Sequence, residues 1–278
     1  MFKQVMGGVA VVVLLATGCA TNIPEVPSIS DSGRWINGKV VWHDLVTPDL
    51  EGAKSFYGGL FGWSFEDASE NYTLVKNDGR LIGGMALLKS SVYSSYWVPL
   101  VSVRDVDQAV EATTSAGGER LVTSFNVPGR GRVGVLKDPR GAAFGVVKTT
   151  QGDPVDRVPG PNDWMWNEVW TDDVAASGSF YQENFGYDLK EETVVGVKHT
   201  LLTTGIVPRV GVVKKSDPKI ANTWVAYVRV ADIEATLSKA RSLGATVLLA
   251  PTAEVRNGNV AILADPHGAG FVVQEVSR

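Results

Sequence analysis

Two carboxylates sit among tryptophans in this chain, in Trp42-His43-Asp44-Leu45-Val46 and again in Trp166-Asn167-Glu168-Val169-Trp170. Alternate residues of an extended segment share a face, so Trp42, Asp44 and Val46 stand together, as do Trp166, Glu168 and Trp170. A carboxyl group walled by apolar side chains resists ionisation and suits a general base. That makes Asp44 and Glu168 the candidate catalytic groups. The alternatives are that they orient a polar ligand or neutralise an arginine inside a filled core. Indoles offer rigid area to planar or cationic ligands, and they serve equally as core filler. The run NVPGRGR, residues 126–132, sets two arginines among glycines, suited either to an anion or to plain solvent.

The elements that must position these residues are written more than once. TPDLEGAKSFYGGLFGW from Thr47 aligns with TDDVAASGSFYQENFGY from Thr171 at an offset of 124. DPRGAAFGV from Asp138 aligns with DPHGAGFVV from Asp265 at an offset of 127, which places a three-residue insertion between the two motifs. Such self-similarity decides architecture before any local reading does. Asp-Pro-x-Gly suits a type I turn, and the β-branched and aromatic run after it reads as a strand. Asp49, Asp105, Asp173 and Asp232 each stand between an apolar alternating run and a helical pattern, where Asp caps orphan amides. The segments DVDQAVEATTSAGG and DIEATLSKARSLGA carry apolar residues at helical spacing and end on Gly117 and Gly244 as C-caps. NDG at 77–79 and NG at 257–258 are hairpin signals. Strand, helix and three strands are thus predicted four times over. Residues 151–163, QGDPVDRVPGPND, read as a Pro-rich linker.

With these motifs the chain resembles the vicinal oxygen chelate superfamily, which includes glyoxalase I, bleomycin-resistance proteins and extradiol dioxygenases. The resemblance rests on the D-x6-FY…FGW/Y segments and the closing DPxG-x-x-F turns, and it covers residues 36–276. It implies an α+β fold: tandem domains, 36–150 and 164–278, each of two βαβββ modules whose curved mixed sheet encloses a concave cavity. In metal-dependent members His, Gln or Glu ligands stand on the opening strands, seven residues before the capping Asp, and on the closing strand. A divalent cation there chelates neighbouring substrate oxygens. The matching opening positions here are Trp42, Val98, Trp166 and Val225, and the closing ones are Gly145 and Val272. None brings an oxygen or nitrogen donor, so no metal site and no cofactor are expected. His43, His199 and His267 are scattered, and alternation turns His43 toward the helices.

Within that fold the ligand-binding candidates are Trp42, Asp44, Trp166, Glu168, Trp170, Tyr227 and Arg229, with Arg229 aimed toward Glu168 by the partner strand WVAYVRV. Trp97 and Trp224 are adjacent to the cavity face by parity, and Tyr57 and Tyr181 are packing residues. The expected function is binding of a small organic molecule, aromatic or cationic, without metal. The alternatives are a glyoxalase-like lyase, isomerase or dioxygenase with displaced ligands, and a protein-interaction scaffold.

The 278-residue chain carries a formal net charge of −4, which argues against a nucleic-acid partner. Met1 to Gly18 has the charged, apolar and small-residue zones of an export signal. The run LLATGCA resembles the bacterial lipoprotein lipobox and implies lipidation at Cys19, followed by a tether over 19–35. Contact with membrane would then be through the lipid anchor alone, in the cell envelope. The absence of Asp after the Cys points to the outer membrane, facing the periplasm, in an organism with two membranes. With a single cysteine no internal disulfide forms.

Overall fold

The computed structural model describes residues 23–88, 95–194 and 197–276, so the segment expected to be an export signal and Cys19 lie outside the described residues. The first half runs β1 (Val40–Thr47), α1 (Leu50–Phe61), β2 (Ser64–Ser69), β3 (Tyr72–Asn77) and β4 (Arg80–Leu87), then β5 (Tyr96–Ser102), α2 (Val106–Ser115), β6 (Glu119–Val127), β7 (Gly131–Lys137) and β8 (Ala143–Thr149). The second half repeats it as β9 (Trp164–Thr171), α3 (Val174–Phe185), β10 (Asp188–Val194), β11 (Val197–Thr204) and β12 (Val207–Lys214), then β13 (Thr223–Val230), α4 (Ile233–Ser242), β14 (Thr246–Leu249), β15 (Val260–Ala264) and β16 (Gly270–Glu275). The sheet orders are β2-β3-β4-β1-β5-β8-β7-β6 and β10-β11-β12-β9-β13-β16-β15-β14. Both sheets are mixed. The opening and closing strands of each module run parallel, and the intervening hairpins are antiparallel.

Local chemistry explains most boundaries. Asp49, Asp105, Asp173 and Asp232 accept from the amides of Gly52, Gln108, Ala176 and Ala235 and so cap all four helices. Gly117 and Gly244 stand one residue past the caps of α2 and α4, at φ of 90° and 91°. Asp78 and Gly79, both at positive φ, make the two-residue turn between β3 and β4. The other hairpin signal resolves differently. Asn257 and Gly258 fall in a short 3-10 turn before β15, at the end of a long connection from β14, because β14 stops at Leu249.

The described chain forms two compact units that do not follow the sequence halves. One combines the described residues up to Trp42 with Val98–Val155 and Asn167–Trp224; the other combines His43–Trp97, Asp156–Trp166 and Val225–Arg278 as far as they are described. In the first, α2 and α3 meet over a core that includes Val101, Leu136, Phe144, Tyr181 and Trp224. In the second, α1 and α4 meet over Leu45, Tyr57, Met85, Leu237 and Phe271. Val26, in the stretch expected as a tether, is buried and donates its amide to the Pro128 carbonyl at 3.0 Å. Asp153 of the linker accepts from the Ile36 amide, Ser102 and Thr149, and so fastens both ends of the first half.

Candidate functional site

On β1, Leu45 enters a helix-covered core and His43 stacks on Trp164 at 4.3 Å, so Trp42, Asp44 and Val46 take the opposite face. Asp44 Oδ1 accepts from the Tyr72 hydroxyl at 2.7 Å. Across the parallel register from Asp44 stands Gly84, where a Cβ would lie 2.0 Å from the Tyr72 hydroxyl. Only a glycine leaves room for that pair. Trp42 is buried, and the Arg130 guanidinium carbon lies 4.2 Å from the centre of its ring. Arg130 comes from the NVPGRGR loop, and it too is buried, at 3 % exposure. Two residues on, at the start of β7, Arg132 instead pairs with Asp107 at 2.7 Å on the surface.

On β9, Val169 enters a core and Trp166, Glu168 and Trp170 share the other face. Glu168 is buried and accepts from Trp170 Nε1 at 2.9 Å, while Trp166 and Trp170 remain half-buried. Glu168 also faces a glycine, Gly211 of β12, so both halves set a carboxylate opposite a glycine. On β13, Val228 and Val230 enter a core, which turns Val225, Tyr227 and Arg229 the other way. Arg229 Nη1 donates to the Pro159 carbonyl at 2.6 Å, and its backbone pairs with Asn162 and Asp163 of the linker. The Arg256 guanidinium lies 5.4 Å from the Tyr227 ring centre.

The donor set does not fit a divalent cation. Where the resemblance places ligands stand the buried Trp42, Val98, Val225 and Val272 and the half-buried Trp166, none with a lone pair for a metal, and Gly145 brings no side chain. Among the described residues no three of His, Cys, Asp or Glu come together in a way that could hold a metal. His199 opposes Glu192 in a strand register, and His267 Nε2 lies 3.4 Å from Asp49 in a turn. No catalytic step is derived through a metal.

Trp97 and Trp224 face the helices, where each donates its indole N–H at 2.8 Å to a helix tyrosine, Tyr57 and Tyr181 respectively. Tyr57 donates onward to Asp265 at 3.2 Å and Tyr181 to Asp138 at 2.9 Å. Residue type and local spacing point only to packing for both tyrosines and give no sign that each meets the Asp of the other half's DPxG turn. Burial pushes both phenols well above their ordinary range. A second missed cluster surrounds Asp163, which accepts from Asn77, Arg80, Arg157 and the Gly160 amide at 2.8 to 3.0 Å. Its only sequence signal was an acidic residue closing a Pro-Gly-rich linker.

The family described as Glyoxalase/Bleomycin resistance protein/Dioxygenase superfamily matches residues 39–146, and one described as Glyoxalase-like domain matches residues 167–274. The anthracycline biosynthesis protein DnrV of Streptomyces peucetius is 31 % identical over 264 residues, which cover 87 % of this chain and 95 % of that protein. The putative glyoxylase CFP32 of Mycobacterium tuberculosis (strain CDC 1551 / Oshkosh) is 29 % identical over 241 residues, covering 84 % and 92 %. Among solved structures, the Mn(II)-bound glyoxalase from Novosphingobium aromaticivorans superposes with a TM-score of 0.58 at 12 % identity, over 86 % of this chain and 83 % of that one. An extradiol ring-cleaving dioxygenase from B. fuscum gives 0.58 at 17 % identity, over 92 % and 75 %. At these identities the structural likenesses establish the fold.

Proposed function

Because the chain belongs to the glyoxalase/bleomycin resistance protein/dioxygenase superfamily, we propose that it is an envelope lipoprotein that binds a small planar organic molecule without a divalent cation. One observation carries this reading. Trp166 and Trp170 remain half-buried on the same β9 face, with a buried carboxylate between them in sequence, while the positions that would ligate a metal hold no carboxylate, imidazole or thiolate. Aromatic faces that stay partly open bind flat π systems at low entropic cost. The relative named for anthracycline biosynthesis supports a planar polycyclic ligand of that kind.

Two probes test this by calorimetry on the mature chain: anthraquinone-2-sulfonate, planar and anionic, and proflavine, planar and cationic. At least one is expected to bind, and Trp170→Ala is expected to weaken it by about 2- to 12-fold, as loss of an aromatic contact of roughly 0.5–1.5 kcal/mol requires. Trp166→Ala acts in the same direction. Failure of both probes, or binding unchanged in both variants, overturns the proposal.

The anchor is tested separately. Cys19→Ser in the full precursor is expected to move the protein from the membrane fraction to the soluble fraction, because one lost thioether lipid removes the anchoring chains. A variant that stays with the membrane would refute lipidation.

A further inference from the structure

Arg130 is a charged side chain placed where the fold leaves almost no water. Its guanidinium stacks on Trp42 at 4.2 Å, and both residues are at least 97 % buried. A guanidinium is less strongly hydrated than an ammonium and stacks on aromatic faces, and tryptophan is the best partner for it, more so once desolvated.

The loop that delivers it is fastened from both sides. The Arg130 amide donates to the Val127 carbonyl at 3.0 Å and its carbonyl accepts from the Thr150 amide at 2.9 Å. Gly129, at φ 80°, lies so close to the tether that a Cβ would fall 1.9 Å from the Val26 carbonyl oxygen. Gly131, at φ 127°, would set one 2.0 Å from the Lys148 carbonyl oxygen. Neither position accepts a side chain, so the arginine is held at one height over the indole.

The corresponding positions in the other half differ. Trp166, at the offset of 124 from Trp42, is half-buried, and Val46 corresponds to Trp170, also half-buried. The loop arginine there, Arg256, is exposed.

We infer that Arg130 is a built-in cation that fills the space over Trp42, so that the first half offers no open binding surface there and the chain takes one ligand, on the β9 face. This rests on the proposed function for the ligand alone. A fixed guanidinium also repels any divalent ion from the side chain that stands at a ligand position.

The experiment has two arms. In the first, thermal unfolding compares the wild type with Arg130→Ala, Arg130→Met and Arg130→Lys. Arg130→Ala is expected to lower the midpoint by roughly 10 °C, as truncating a buried side chain stacked on an aromatic ring does in a chain of this size. Adding methylguanidinium chloride below its denaturing range, against sodium chloride at equal ionic strength, is expected to raise the midpoint of Arg130→Ala with the logarithm of its concentration, and to leave the wild type unmoved. Arg130→Met, similar in length and uncharged, should fall below Arg130→Lys. Equal midpoints for the wild type and Arg130→Met, or no specific rescue of a folded Arg130→Ala, overturns the built-in cation. If Arg130→Ala does not fold, the order of Met and Lys decides.

In the second arm, calorimetry with the probe that binds should give one site per chain, unaffected by Trp42→Phe. Two sites, one of them lost in Trp42→Phe, overturns the inference and leaves the proposed function standing. If neither probe binds, the proposed function fails and with it the single-ligand part of the inference, while the rescue arm still decides the cation.

Discussion

Asp163→Ala is expected to cost about 2–6 kcal/mol in urea denaturation, because the Asn77 side chain and the Gly160 amide lose their acceptor at about 1–3 kcal/mol each. The carboxylate is 1 % exposed and accepts from two arginines, one asparagine and one backbone amide, so its loss takes an acceptor from four donors. Arg80 and Arg157 are about half exposed and recover hydration, whereas Asn77 is buried and keeps its 3.1 Å bond to the Pro161 carbonyl without gaining water. Asp163→Asn keeps the shape and separates charge from packing. Burial by itself would raise the Asp163 carboxyl, but the bonds from Asn77, Arg157, the Gly160 amide and Arg80 hold it below the ordinary value. A depressed folded-state pKa makes the contribution complete above about pH 5 and lost as pH falls through the depressed value. The stability gap between wild type and Asp163→Asn should therefore close on the acid side. A gap that stayed constant from neutral to acid pH would show that the charge contributes nothing.

Asp138→Ala is expected to cost about 2–6 kcal/mol, because three donors lose their acceptor and the two buried ones, the Ala142 amide and the Tyr181 hydroxyl, cost about 1–3 kcal/mol each. Those donors are the amides of Arg140 and Ala142, both at 2.9 Å from Oδ1, and the Tyr181 hydroxyl at 2.9 Å from Oδ2. Tyr181 in turn orients Trp224, so the variant should also change the near-ultraviolet signal of that indole. The pH signature is opposite to that of Asp163. Burial raises the Asp138 carboxyl, and the Ala142 amide, Tyr181 and the Arg140 and Gly141 amides only partly offset it. A raised folded-state pKa means that ionisation opposes folding at neutral pH and that this cost is relieved as pH falls through the raised value. Wild type should therefore gain on Asp138→Asn toward acid, down to the ordinary carboxylate value near 3.9. A gain in the other direction would mean that the carboxylate, once folded, is stabilised as the anion.

These two aspartates show where sequence reading succeeded and where it stopped. The DPxG turn around Asp138 and the capping aspartates were legible because both depend on hydrogen bonds within about four residues. The inward and outward faces of β1, β9 and β13 were legible because a strand has a period of two. The hairpin at 77–79 was legible for the same local reason. Asn257-Gly258 was not, since the length of β14 decides whether a turn signal closes a hairpin or a longer loop.

The sequence by itself determined the four βαβββ modules, their capped helices and the lack of metal donors at the positions the resemblance singles out, since each follows from residue type and short-range spacing. Tertiary structure alone decided that Tyr57 meets an aspartate 208 residues away, that α1 shares a core with α4 and α2 with α3, and that Arg130 settles on Trp42. The physical reason is that alternation says which way a side chain points but not what it meets. What it meets depends on which apolar helix faces bury one another, and equivalent repeats leave more than one such pairing open until the whole chain has packed.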